Sequence, residues 1–128
     1  MSVTEALLDR LAMLNPQDGI PLKTPGSDYV IIHVSGPGDT NRRLSGRAAA
    51  DVIDVHLVAV SRSKEGCRAT RARALPLLDG WRPVDHPACS PMTRLTTGNP
   101  PLRDGPSGDE RWSHNTVYRC VIPRGTPI

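Results

Sequence analysis

The run Asp51–Ser61 (DVIDVHLVAVS) constrains the fold more than any other part of this chain, because its β-branched residues and strict alternation read as a strand. Ile53, Val55, Leu57 and Ala59 fall on one face, and Val52, Asp54, His56, Val58 and Val60 on the other. Both faces carry apolar residues, so neither is expected to be fully solvated in the working state. Within two residues the run leads into Ser63–Leu78 (SKEGCRATRARALPLL), where the period changes to that of a helix. Ser63 is placed to cap it. Cys67, Ala74 and Leu78, with Leu75 alongside, make an apolar stripe that leaves Arg68, Arg71 and Arg73 largely outside. Pro76 lacks an N–H and crowds the preceding turn, so regular helix is expected to about Leu75.

The other elements follow the same logic. Ser2-Val-Thr-Glu5 has capping-box form, and Leu7, Leu8, Leu11 and Leu14 share a helical face up to the break at Asn15-Pro16. After a proline-bearing loop, Tyr29–Ser35 alternates as a strand, with Val30, Ile32 and Val34 on one side and Tyr29, Ile31 and His33 on the other. Residues 36–50 are too many for a tight hairpin and form an extended or projecting loop. A proline-laden crossing (Trp81–Pro91) precedes a short strand near Met92–Thr97, the breaker-rich stretch Gly98–Glu110, and a last strand His114–Ile122. The predicted order is α-β-β-α-β-β: an α+β fold with a mostly antiparallel four-stranded sheet, two helices and long loops. The 128 residues suit one domain spanning 1–128, with 98–111 as a loop insertion. With no Phe in the chain, the core must rest on Val, Ile, Leu and Ala.

The three cysteines, Cys67, Cys89 and Cys120, are odd in number and widely spaced, which argues against a disulfide framework and for a reducing compartment. The N-terminus lacks signal-peptide character, and no apolar run approaches the ~18 residues that span a bilayer, so a soluble protein without membrane contact is expected. A net charge of +3, carried almost wholly by Arg, permits an acidic or nucleic-acid partner without demanding one.

The sequence shows no assembled reactive centre. Asp85, His86 and Cys89 come nearest, but an ordinary loop accounts for them better than a tuned nucleophile and base, and no Gly-x-Ser-x-Gly is present. His86, Cys89, His114 and Cys120 supply only one closely spaced pair, short of a zinc signature, so neither metal nor cofactor is expected. Gly36-Pro37-Gly38 is a turn, not a phosphate loop. His33 and His56 read as sheet residues rather than ligands. The densest basic cluster is Arg42, Arg43 and Arg47, either a solvated loop or a set of guanidinium forks for a partner's carboxylates or phosphates.

DYVIIHVSG, the loop DTNRRLSG and the run DVIDVHLVAVSRSKEGCRATRARALPLLDGWRP together resemble tail terminator proteins of long-tailed (siphovirus-type) bacteriophages, those of high-GC Gram-positive hosts above all. Asp39, Arg42, Arg43, Leu44 and Gly46 carry the first motif, and Arg71-Ala72-Arg73-Ala74-Leu75 the second. The resemblance covers roughly residues 1–97 and the final strand, and leaves Gly98–Arg111 without a counterpart. It implies a non-enzymatic virion protein without cofactors, assembled in the host cytoplasm at the head–tail junction. Such a protein forms a ring, typically a hexamer, that caps the tail tube, ends its polymerisation and meets the head-completion proteins, with DNA passing through the lumen.

A closed ring needs two different patches per subunit. On this view Arg42, Arg43 and Arg47 are interface candidates. So are Tyr29, Ile31, Val58 and Val60 on the second sheet face, unless that face packs beneath the first helix. Arg103, Asp104, Asp109 and Glu110 mark a loop for a partner ring to order. The rival readings are another connector, head-closure or minor tail protein, a small basic nucleic-acid-binding module, and a hydrolase built on Asp85, His86 or Cys89.

Overall fold

The computed structural model describes residues 2–19, 26, 28–36, 50–95, 101–104 and 111–128. Helix α1 (Val3–Arg10) starts in the predicted capping box: the Glu5 N–H donates to Ser2 Oγ at 3.1 Å, and the Ser2 N–H reaches back to the Glu5 carboxylate at 3.4 Å. Two more first-turn amides, of Val3 and Thr4, donate to the carbonyls of Pro127 and Ile128, each at 3.0 Å. A 3₁₀ turn (Ala12–Leu14) follows, closed by Asn15 at φ 54°, a left-handed conformation that asparagine tolerates.

The connection after Asn15 opens with an unexpected short strand, while Pro21 and Pro25 of the expected loop lie outside the described residues. β1 (Pro16–Asp18) lies parallel to β2 (Tyr29–Ser35), Pro16 opposite Val30. Pro16 is compatible because it opens an edge strand, where its missing N–H breaks no ladder. β2 pairs antiparallel with β3 (Ala50–Ser61), from Tyr29 opposite Val60 to Ser35 opposite Asp54. β3 in turn pairs along its whole length with β6 (Arg111–Pro123), from Ala50 opposite Pro123 to Ser61 opposite Trp112. Along the far edge of β6 lie β4 (Thr93–Arg94) and β5 (Leu102–Asp104). The class is the predicted α+β, but among the described residues the sheet has six strands rather than four, in the order β1-β2-β3-β6-β4 with β5 also on β6, and it is mixed through β1. β4 is shorter than expected and β6 longer. β5 arises within a stretch that its breakers made look like loop alone.

The core lies on one face of the sheet. Val30 and Ile32 of β2, Ile53, Val55, Leu57 and Ala59 of β3, and Tyr118, Cys120 and Ile122 of β6 are all buried there. Val3, Leu7 and Leu11 from the first helical segment cover them, together with Cys67, Ala74 and Leu78 of α2 (Lys64–Leu78). This α2 outruns the expected stop at Leu75. Pro76 is exposed and sits in the last turn, so the hydrogen bond it omits falls on a solvated face, while buried Leu78 anchors the end from the other side. Ser63 caps α2 as predicted, accepting from the Gly66 N–H at 2.9 Å. With no Phe available, Tyr118 is the largest fully buried side chain.

Candidate functional site

Opposite the helices, the sheet presents an outer face ordered by the registers of β2, β3 and β6. One cross-strand row is Ile31–Val58–Asn115, the next His33–His56–Val117, and the next Ser35–Asp54–Arg119. Val52 and Val121 stand opposite one another beyond them. Ile31, Val52, Val58, Val117 and Val121 are half-buried, and His33, Asn115 and Arg119 are exposed. The Asp54 carboxylate is held in bidentate fashion by Arg119, with Nε to Oδ1 at 2.8 Å and Nη2 to Oδ2 at 3.2 Å, which keeps the guanidinium more firmly protonated than usual.

Of the four predicted sheet-face residues, Ile31 and Val58 are direct neighbours with area left to give a partner. Tyr29 and Val60 are also paired, but they are buried within the subunit at 8% and 5% exposure. They sit where β2 and β3 turn toward the Asp28–Ser61 hydrogen bond at 2.5 Å, so they serve the fold and leave little surface for contact. The large apolar side chains that do stand exposed among the described residues escaped the periodicity argument: Met13 at 83%, Leu95 at 44% and Leu102 at 63%. Met13 lies in the 3₁₀ turn that leads into β1, the strand at one edge of the sheet. Leu95 follows β4 and Leu102 opens β5, both at the opposite edge. No periodicity marks a lone apolar residue in a short edge element, so only the sheet order brings these two patches into view.

Arg42, Arg43, Arg47, Asp109 and Glu110 lie outside the described residues. Arg103 is exposed on β5, which together with Asp104 pairs with β6 of the same subunit, so this part of the predicted partner-ordered loop belongs to the sheet itself.

The helix-side end of β6 is basic. Arg71, predicted to lie outside the apolar stripe, is half-buried and donates from Nε to Thr116 Oγ1 at 2.8 Å, tying α2 to β6. Lys64 lies 5.8 Å from the centre of the Trp112 ring. Both ring nitrogens of His114 are buried without a hydrogen-bond partner among the described residues, and burial, reinforced by Arg71 and Arg68, lowers its pKa.

Of the sequence's nearest approach to a reactive cluster, Asp85 and His86 stay exposed side by side while Cys89 is turned into the core. Arg82, Val84, Asp85, His86 and Pro87 line an open concavity of about 400 Å³. His86 Nδ1 accepts from the Ala88 N–H at 3.0 Å, and the Cys89 thiol is buried in the core. Cys89 and Cys120 are neighbours in that core. Burial first, then Cys89, pushes the Cys120 thiol up to about 12. Burial likewise raises the Cys67 thiol, which donates to the Ala59 carbonyl at 3.3 Å. Thiols in such surroundings behave as small core hydrophobes. Among the described residues, no group of three or more His, Cys, Asp or Glu side chains is gathered at metal-binding distances.

No family model and no curated protein matches the sequence. Among solved structures, the fold resembles that of a chain from the virion of a native gene transfer agent particle, with a TM-score of 0.60 at 16% identity. That likeness spans 95% of this chain and 92% of the other.

Proposed function

We propose that the chain is a structural virion protein of tail-terminator type: a subunit of a ring that caps a tail tube, ends its polymerisation and joins the tail to the head-completion proteins. Three lines support this reading. The motifs around Arg42–Gly46 and Arg71–Leu75 resemble that family. The fold is shared, nearly end to end, with a component of a virion. The observation that carries most weight is the placement of exposed apolar side chains at both edges of one sheet. Head-to-tail closure joins two different patches on each subunit, and Met13 at the β1 edge and Leu95 with Leu102 at the β4/β5 edge supply such a pair. Ile31 and Val58 on the outer face add a third apolar surface for a neighbouring protein. Arg42, Arg43 and Arg47, in the β2–β3 connection, provide bidentate donors for carboxylates of an adjacent subunit or of the tube.

The test is assembly. The purified chain, alone and mixed with tail tubes, is examined by light scattering and negative-stain imaging. Rings of uniform size seated at tube ends are expected. Met13→Glu and Leu102→Glu should each abolish ring formation while leaving the circular dichroism and melting temperature of the subunit unchanged. Rings that form as well with both substitutions would refute the edge assignment, and tubes that keep growing in the presence of the protein would refute the capping role.

A further inference from the structure

Two of the four histidines, 23 residues apart in sequence, become direct cross-strand partners: His33 of β2 stands opposite His56 of β3 on the outer face. Their ring centroids are 6.1 Å apart with planes inclined at 44°. We propose that His33 and His56 form a two-point chelating site for a divalent cation of the zinc class.

The geometry suits one shared ion. With metal–nitrogen bonds of about 2.0–2.1 Å, a bent nitrogen–metal–nitrogen arrangement places two imidazole centroids roughly 5–6 Å apart. The observed 6.1 Å lies just above that range, so a small side-chain rotation closes the site. His33 is exposed and His56 half-buried, which leaves both rings room to turn and the ion open to solvent. The backbone beneath them is fixed, because β3 is bonded to β2 on one side and to β6 on the other. Two ligands held at constant spacing lose little freedom on binding, which is the source of the chelate advantage.

The surroundings define the ligand further. The adjoining row holds two charged groups, Asp54 and Arg119, and they are engaged with each other. The Asp54 carboxylate is therefore committed to a guanidinium, and among the described residues the site is built on an imidazole pair. Imidazole nitrogen selects zinc, copper and nickel over magnesium and calcium, which require oxygen ligands. Water fills the remaining positions on the ion. The site does not depend on ring formation and stands apart from the capping role.

Zinc binding to the full-length chain is measured by calorimetry, with magnesium as control, alongside NMR of the histidine ring protons. One zinc per subunit is expected, with the His33 and His56 signals shifting together and no response to magnesium. His33→Gln and His56→Gln should each weaken binding at least about tenfold, the scale seen when even outer-shell support of a metal site is lost. His86→Gln, which removes an exposed histidine elsewhere, should leave binding intact. Unchanged affinity in the His33 and His56 variants, loss in the His86 variant, or zinc that leaves both ring signals in place would each overturn the proposal. The ring signals of the unmodified protein keep the test decisive should a substitution disturb the fold.

Discussion

Replacing Tyr118 by Phe should raise the stability of this protein or leave it unchanged, whereas most Tyr→Phe changes in a core lower it. Tyr118 is fully buried at the centre of β6, and among the described residues its hydroxyl has no hydrogen-bond partner of good geometry. The Asp79 carboxylate opposes phenolate formation, after burial the larger influence, and is itself paired with Arg94 at 3.4 Å. A hydrogen-bonded phenol is worth about 0.5–1.5 kcal/mol to a fold, while an unsatisfied buried polar group costs about 1–3 kcal/mol. Residual attraction between hydroxyl and carboxylate offsets part of that cost, and the vacated oxygen leaves only a small void. The balance for Tyr118→Phe runs from about zero to about 1 kcal/mol of stabilisation. With a urea slope of about 1–3 kcal/mol/M, the upper figure moves the unfolding midpoint by roughly 0.3–1 M at constant slope. Urea unfolding followed by circular dichroism measures it. A loss of 1 kcal/mol or more would show that the phenol is bonded to Asp79 in solution. The cycle with Asp79→Asn would then return a coupling energy well above zero, where the present reasoning expects almost none.

The remaining expectations concern titration and the seam between α2 and β6. The Cys120 thiol ionises near 9 when exposed and only at about 12 in the fold, so unfolding releases a proton once the pH passes 9. The Cys120 contribution to stability should therefore be constant below pH 9 and fall between 9 and 12, and Cys120→Ala should flatten that fall in urea titrations run at each pH. His114 behaves in the opposite sense. Its lowered pKa makes the unfolded chain the better proton acceptor, so stability present above pH 6.5 should decline as the solution becomes more acid, and His114→Gln should reduce the slope. Arg71→Ala should lower stability by about 1–2 kcal/mol, because it strands the buried Thr116 hydroxyl as well as removing a hydrogen bond. Thr116→Val in that background should recover part of the loss.

The elements legible in the sequence are those whose stability is local or strictly periodic. The capping box at Ser2 and Glu5, the cap at Ser63, and the alternation of Tyr29–Ser35 and Asp51–Ser61 each act within a few residues, and each appears in the structure as read. β1 and β5 were not legible for the converse reason. Three residues carry no period, and Pro16–Asp18 and Leu102–Asp104 are strands only because β2 and β6 lie ready beside them. Pro76 illustrates a tertiary override: the cost it carries in a helix interior is reduced in the last turn on an exposed face, and buried Leu78, two residues on, holds the end of α2 in the core. Tyr29 and Val60 show the limit of face assignment. Alternation places them correctly on the outer face, yet it cannot reveal that the end of that face is closed within the subunit.

The same distinction separates what function could be read in the chain from what could not. A catalytic centre often leaves a compact trace, since a nucleophile and its base sit in motifs of fixed spacing. An assembly surface leaves none, because its members are adjacent only after register and sheet order are set. Met13 and Leu102 are 89 residues apart, and only the sheet order places them toward its opposite edges. His33 and His56 meet only because Tyr29 stands opposite Val60, and a slip of one residue would separate them and turn one strand's side chains toward the helices. Register is thus the quantity on which the outer face depends. It is fixed by the core residues on the other side, Val30, Ile32, Leu57 and Ala59, whose burial forbids the slip. The outer face is therefore positioned by the face that packs beneath the helices.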